Sequence, residues 1–326
     1  MPSRSPNPSV GAISTCFLWS TSDIPFLRQE TAVLVTHLVH LLLSNVHTLP
    51  PELRVLDLCT GSGCIPLLFN HEFYSRLSDI NQPQDVELNV AGVDLSSPAI
   101  RLSQENQQIQ LGHLKRNRST QSRQYKTLEA MSFLQADVLQ HDQETSSSCP
   151  SVAAALRHHW NFRAEVKCDI LISNPPYISS TAYYRTTSPS VRNYEPKSAL
   201  VPPAVTAGRK NSSDGDLFYH HILQHARQLD TQIVLVEVAD LEQAKRVAAL
   251  MIEQGIWDGV KIWRDDPNAR CETQSALVPL QHHGESRSVP VLGSGNGRSV
   301  LAFRGRGTQW LGKLECNIFA KPCEIT

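Results

Sequence analysis

The chain has 326 residues, 40% of them hydrophobic and 19% charged, which is enough to bury a full core in one large domain or one domain with appendages. Its formal charge of −1 and pI near 6.9 exclude a global electrostatic pull toward nucleic acid, so any anionic partner has to be met by a local patch. Eight cysteines without a Cys-x-x-Cys pair indicate neither a zinc knuckle nor a disulfide framework, and no apolar run approaches the roughly 20 residues of a bilayer span.

Residues 1–23 read as a disordered tail or a targeting segment: the first 22 carry Arg4, many Ser and Pro, an apolar Cys16-Phe17-Leu18-Trp19 patch and no acidic side chain. From about residue 30 to 264, apolar clusters bounded by turn residues alternate with helical patterns, which predicts an α/β domain with a mostly parallel sheet. Thr31 to Leu43 has helical apolar spacing. Arg54 to Leu58 is a short buried strand, followed by the glycine turn Thr60-Gly61-Ser62-Gly63 and a helix from Cys64. Leu88 to Val93 is the second strand, and Ser97 to Gln108 the next helix, capped by Ser96 or Ser97 with Pro98 in its first turn.

Ser132 to Gln135 and Asp169 to Ser173 are the third and fourth strands, Asp216 to Gln228 a helix, Ile233 to Val238 the fifth strand and Leu241 to Glu253 the helix after it. Val260 to Trp263 and Ser299 to Phe303 alternate as an antiparallel edge hairpin. Stretches near 70–84, 140–165 and 266–297 are polar, lack periodicity and are expected to be loop insertions. The domain is placed at 24–305, with a C-terminal tail over 306–326. His158-His159, His220-His221 and His282-His283 have no carboxylate or cysteine partner at ligand spacing, so they are read as surface pairs and no metal site is expected.

The strand-to-helix turn of Asp57-Leu58-Cys59-Thr60-Gly61-Ser62-Gly63 lets backbone N–H groups approach a ligand, or serves only as a tight connection. Asp94 ends the neighbouring strand, where its carboxylate can accept from two vicinal ribose hydroxyls. Pro66 stands where Gly-x-Gly-x-x-Gly has its third glycine, which counts against a pyrophosphate ligand. Asp137, after the third strand, can accept an adenine amino group or merely cap a loop. The strongest signal is a buried strand running into Asn174-Pro175-Pro176-Tyr177. The prolines stiffen the backbone, so that the Asn174 side-chain oxygen and the Pro175 carbonyl can hold the two N–H groups of an amide or amine and aim its nitrogen at a methyl donor. Glu237, at the end of the fifth strand, is read as structural.

These motifs resemble the HemK family of release-factor glutamine methyltransferases, over about Ile24 to Arg304. Arg28, Glu30 and Thr31 fall in register with the family's Ile-Pro-Arg-Pro-Glu-Thr-Glu, although the first arginine and the second proline are displaced or lost and Ala32 replaces the last acid. Glu195-Pro196-Lys197-Ser198-Ala199-Leu200 resembles its Glu-Pro-Arg/Lys-x-Ala-Leu loop, and Asp214-Gly215-Asp216-Leu217-Phe218-Tyr219 its Asp-Gly-Leu-x-Phe-Tyr helix start, with a longer linker from Val201 to Ser213 between them. The resemblance implies a Rossmann-like class I methyltransferase with a seven-stranded, mostly parallel sheet, an antiparallel edge strand and helices on both faces.

It further implies S-adenosylmethionine as cofactor, with Asp57, Thr60, Gly61 and Gly63 at its methionine half, Asp94 at the ribose, Asp137 at the adenine, and Leu95 and Asn174 also binding it. Asn174, Pro175, Pro176 and Tyr177 would receive the glutamine amide of a class I peptide-chain release factor's Gly-Gly-Gln loop, with Asn174, Pro175 and Tyr177 catalytic. The enzyme is expected to be a monomer without membrane or direct nucleic-acid contact, mitochondrial or otherwise cytoplasmic. Fewer than 30 residues precede the Arg28 motif, where the family carries a helical domain that grips the release factor. The competing readings are an N6-adenine DNA or RNA methyltransferase, sharing Asn-Pro-Pro-Tyr, and a catalytically inactive binding module.

Overall fold

The computed structural model describes residues 28–80, 85–117, 120–140, 149–159, 166–203, 214–269, 276–282 and 285–312. They form α1 (Gln29–Ser44), β1 (Glu52–Leu58), α2 (Cys64–Leu77), β2 (Glu87–Asp94), α3 (Ser97–Arg116), α4 (Arg123–Ala130), β3 (Ser132–Gln135), α5 (Val152–His159), β4 (Ile170–Ser173), α6 (Ser180–Thr186), α7 (Pro189–Tyr194), α8 (Lys197–Leu200), α9 (Leu217–Gln228), β5 (Ile233–Glu237), α10 (Leu241–Glu253), β6 (Gly259–Asp266), β7 (Ala276–His282), β8 (Glu285–Leu292), β9 (Ser294–Phe303) and α11 (Arg306–Trp310).

The strands make one sheet in the order β3-β2-β1-β4-β5-β9-β6-β8-β7, parallel from β3 through β5. Successive residues of β4 serve opposite faces. Leu171 joins one core with Val234, Val236 and the inner sides of α9 and α10, while Ile170 and Ile172 join the other with α1 and α2. A strand buried on both faces must be apolar throughout, which is why β4 and β5 read as unbroken hydrophobic runs. Chain order reverses between β1 and β4, and the carboxyl ends of the strands at such a switch point open a crevice for a ligand.

Capping fixes where several helices begin. Ser96 accepts from the Ala99 N–H at the head of α3, and Asp240 from the Gln243 N–H at the head of α10, each cap contributing about 1 kcal/mol. The helix starting at Ser97 runs past Gln108 to Arg116, with His113, Lys115 and Arg116 favourably placed in its last turn.

Several expectations are corrected. The sheet has nine strands rather than seven. β6 and β9 do pair antiparallel, with Ile262 opposite Val300, but β9 lies between β5 and β6, and the edge is β7. The stretch expected to be a loop near 266–297 contributes the antiparallel β7–β8 hairpin, whose Pro279 is tolerated because β7 pairs on one side alone. The insertion placed near 70–84 is helical as far as Leu77: Phe73, Tyr74 and Leu77 are buried on one face, and the polar residues between them hid the spacing. Within 140–165, α5 buries Val152, Ala155 and Leu156. The supposed C-terminal tail opens with α11, whose Trp310 is buried. The tail over 1–23, the motif residues Ile24 to Leu27, most of the Val201 to Ser213 linker and the tail from 313 lie outside the described residues. No helix among the described residues is long and apolar enough to cross a membrane.

Candidate functional site

The turn after β1 is built from left-handed backbone. Cys59, Gly61 and Gly63 have φ of 61°, 56° and 75°, and the last of these is the residue from which α2 starts. A Cβ on Gly63 would sit 2.7 Å from the Ser103 Cβ and 2.8 Å from the Phe133 ring, so glycine lets the turn lie flat on α3 and β3. A Cβ on Gly61 would meet nothing within 4 Å, because Gly61 faces the cleft. Asp94 ties the turn to β2: its Oδ2 accepts from the Gly61 N–H at 2.9 Å and its Oδ1 from the Ser96 N–H at 2.8 Å. Burial raises the Asp94 carboxyl above the usual carboxylate range, while the backbone N–H groups of Ser96 and Gly61 pull the other way.

Asp57 lies under the same turn, 1% exposed, with the Thr60 hydroxyl beside its carboxyl but no well-formed hydrogen bond to either oxygen among the described residues. Burial pushes it well above the ordinary range, the Thr60 hydroxyl opposes that rise, and the neighbouring Asp94 adds to it. A buried carboxyl with so few donors is costly and is a natural counter-charge for a cation.

On the other side of the crevice, β4 ends at Ser173, which pairs with Leu58 of β1 and Val236 of β5. The next residue of each chain is therefore Cys59, Asn174 and Glu237. Asn174 Nδ2 donates to Thr31 Oγ1 at 3.4 Å, and the Thr31 hydroxyl donates to Glu237 Oε2 at 2.5 Å. The Tyr177 hydroxyl donates to Glu237 Oε1 at 3.1 Å and accepts from Arg28 Nη1 at 3.4 Å, and Arg28 also pairs with Glu195 at 3.5 Å. Glu237 is 3% exposed. Burial raises its carboxyl, and the two hydroxyls followed by the Arg28 and Arg298 guanidiniums oppose that rise. Burial likewise raises the Tyr177 phenol, with Glu237 adding to the effect, so Tyr177 stays a neutral donor.

The far end of the loop is pinned from below. Gln243 Nε2 donates to the Tyr177 carbonyl at 3.2 Å and to Asp216 Oδ1 at 2.9 Å, and Asp216 is gripped in turn by Arg246 at 2.6 and 3.1 Å. The Ile178 N–H donates to the Leu200 carbonyl, which ties the loop to α8. Between the two walls lies a cleft open to solvent.

Of the residues singled out from the sequence, Thr60, Gly61, Asn174, Pro175 and Tyr177 line this cleft. Asp94 touches it through Gly61, whereas Asp57 and Gly63 lie beneath the turn, and Pro176 is buried behind the loop. Leu95 is 55% exposed, and Asp137 stands two strands from the turn with its Oδ1 accepting from the Leu139 N–H. Sequence reasoning passed over Glu237 as structural and gave no role to Cys59, which lines the cleft in left-handed backbone. Arg28, Thr31, Glu195 and Leu200, which carried the family resemblance, converge on the same cleft.

No family model matches the chain. It is 28% identical over 232 residues to the "Probable MRF1 mitochondrial N(5)-glutamine methyltransferase mtq1" of Schizosaccharomyces pombe, covering 68% of this chain and 59% of that protein. It is 27% identical over 239 residues to the release factor glutamine methyltransferase of Haemophilus influenzae, covering 73% of this chain and 63% of that one, and 25% identical to the protein of that name from Thermodesulfovibrio yellowstonii, covering 70% and 60%. The chain thus spans about three fifths of the length of these relatives. Among solved structures, the human Mettl16 catalytic domain in complex with a MAT2A 3′UTR hairpin superposes with a TM-score of 0.44 at 12% identity, over 86% of this chain and 71% of that one. The human methyltransferase 10 domain containing protein superposes with 0.41 at 11%, over 86% and 84%.

Proposed function

We propose that this chain transfers a methyl group from S-adenosylmethionine to the side-chain nitrogen of a glutamine in a protein, the substrate being the Gly-Gly-Gln loop of a class I peptide-chain release factor. The observation that carries this reading is the direction of Asn174. Its amide nitrogen donates to Thr31, which leaves Oδ1 to accept from a substrate in the cleft that Asn174 lines with the glycine turn. The names of the relatives supply the substrate.

The residues present suit the cofactor. Gly61 offers open space where any side chain would project, and the buried Asp57 carboxyl beneath the turn is a counter-charge for the ammonium of a methionine moiety. The Asp94 oxygens hold backbone N–H groups and retain lone pairs to accept from ribose hydroxyls. Asp137 is assigned to the adenine end, and Leu95, next to Asp94, to the cofactor as well. When bound, the cofactor supplies an electrophilic methyl group on a sulfonium sulfur.

A primary amide is a weak nucleophile because its nitrogen lone pair is delocalised into the carbonyl. Asn174 Oδ1 and the Pro175 carbonyl accept its two N–H groups, fix the plane of the amide and favour the positive charge that grows on the nitrogen as the new N–C bond forms. Neither oxygen is a strong base. The nitrogen sheds one proton to water after methylation, because an amide protonated on nitrogen is strongly acidic. Tyr177 lines the same cleft and, locked between Glu237 and Arg28, does not compete for the amide's protons.

The near-neutral charge and the relatives' names favour a protein over a nucleic-acid substrate, and a monomer working in mitochondria is the companion proposal. The test is mass spectrometry of release-factor peptides after incubation with the protein and S-adenosylmethionine. We expect a gain of one methyl on the Gly-Gly-Gln glutamine, lost in Asn174→Ala while S-adenosylhomocysteine still binds. Turnover that survives Asn174→Ala would refute the assigned role.

A further inference from the structure

We propose that Glu237 is a positioning residue that fixes which way the Asn174 carboxamide points, acting through the hydroxyl of Thr31. The inference rests on the methyltransfer reading above and adds to it a residue outside the cleft. Three elements far apart in sequence meet here: Thr31 on α1, Asn174 after β4 and Glu237 at the end of β5. Nothing in that meeting is needed to close a core, since apolar side chains would fill the space at lower desolvation cost.

The argument is one of hydrogen-bond polarity. Both Glu237 oxygens receive hydroxyl donors, Oε2 from Thr31 and Oε1 from Tyr177, which is the pattern of an ionised carboxylate that can only accept. Thr31 has a single hydroxyl proton. Once that proton is committed to Glu237, its oxygen has only lone pairs left to offer Asn174, so Asn174 must turn its NH₂ toward Thr31 and its Oδ1 toward the cleft. The two ends of a carboxamide are almost the same size, and packing alone distinguishes them poorly. A relay starting from an acceptor-only group distinguishes them fully.

The same logic predicts what an isosteric amide does. In Glu237→Gln, one hydroxyl has to accept from the new NH₂. Tyr177 is poorly suited, because its oxygen already accepts from Arg28 and its own proton would lose its partner. Thr31 therefore accepts, turns its proton toward Asn174, and Asn174 answers by presenting Oδ1 to Thr31 and NH₂ to the cleft. A substrate amide would then meet a donor where it needs an acceptor.

The experiment measures kcat and KM for a release-factor Gly-Gly-Gln peptide, S-adenosylhomocysteine affinity and thermal unfolding for Glu237→Gln, Thr31→Val and Thr31→Ser. It also records the Asn174 side-chain NH₂ resonances by NMR. Glu237→Gln and Thr31→Val are expected to lower kcat at least tenfold with cofactor affinity changed less than about twofold, and Thr31→Ser to restore most of the rate lost in Thr31→Val. Glu237→Gln added to Thr31→Val should cost little further, a coupling that a general loosening of the fold would not show. The NH₂ pair should move in Glu237→Gln and in Thr31→Val. Wild-type turnover in Glu237→Gln, full additivity with Thr31→Val, or an unmoved NH₂ pair would overturn the relay. If instead the wild-type protein methylates no peptide while the resonances move as expected, the relay stands and the substrate assignment fails.

Discussion

Gly63→Ala against Gly61→Ala separates the two duties of the glycine turn. Both residues have left-handed backbone, which costs an L-residue about 1–2 kcal/mol, and both substitutions regain about 0.4–1 kcal/mol by stiffening the unfolded chain. They differ in what the new methyl meets. At Gly63 it lies 2.7 Å from the Ser103 Cβ and 2.8 Å from the Phe133 ring, inside real contact distance, and overpacking of this kind costs a further ~1–3 kcal/mol. At Gly61 it meets nothing. Gly63→Ala should therefore destabilise by about 2–4 kcal/mol and Gly61→Ala by about 1 kcal/mol or less. At roughly 2–3 °C per kcal/mol for a domain of this size, the melting temperatures should separate by several degrees. S-adenosylhomocysteine affinity should show the reverse order, because the Gly61 methyl points into the cleft. Thermal unfolding and calorimetric titration of the two variants decide the matter. If Gly61→Ala melts at or below Gly63→Ala, the division of labour within the turn is wrong.

Two buried titratable groups make further predictions. A carboxyl whose folded pKa is raised holds a proton that the unfolded chain has lost, so Asp57 subtracts stability as pH rises above the ordinary aspartate range. Asp57→Asn should accordingly melt higher than wild type at pH 8, with the gap closing toward pH 4, yet bind S-adenosylhomocysteine far more weakly. A lower melting point at pH 8 or unchanged affinity would count against Asp57 as the buried counter-charge. His37 packs edge-on against Trp263 with ring centroids 4.7 Å apart, and burial pushes its imidazole from 6.5 down to about 4. It is neutral in the fold while the unfolded chain is protonated, so its contribution is complete above pH 6.5 and is lost on acidification toward pH 4, at most about 3 kcal/mol. Denaturant unfolding from pH 7.5 to 4.5 should show a shallower decline for His37→Phe than for wild type, and parallel curves would remove His37 from the account.

The central strands were legible because burial on both faces forces unbroken apolar runs, and Asn174 was legible because no ordinary strand ends in Asn-Pro-Pro-Tyr. The β7–β8 hairpin was not, since its prolines and polar residues imitate a loop and its pairing depends on β6, distant in sequence. The helical turns after Asn70 were masked by His71, Glu72, Ser75 and Arg76 on the outer face. Glu237 failed to stand out for a different reason. An acid at the end of an apolar strand is ordinary in a sequence, and its meaning comes from Thr31 and Tyr177, 206 and 60 residues away. Cys59 looked like any small residue until the backbone put it at positive φ.

The placement of Asn174 follows from registers that hydrophobic burial sets. Ser173 pairs with Leu58 on one side and Val236 on the other, so the first residue beyond β4 stands between the start of the glycine turn and Glu237. A slip of one residue in either pairing would turn the strand over and bury the asparagine against the wrong core, which the apolar faces of β1, β4 and β5 forbid. The two buried carboxyls are then set at opposite ends of the same short arc, Asp57 under the turn after β1 and Glu237 at the close of β5. One has only the Thr60 hydroxyl near it among the described residues and is the acid proposed to meet a ligand's positive charge. The other has both oxygens occupied and is available only to hold its neighbours. Equal burial thus gives the two acids opposite tasks, and what separates them is how many donors the fold brings to each.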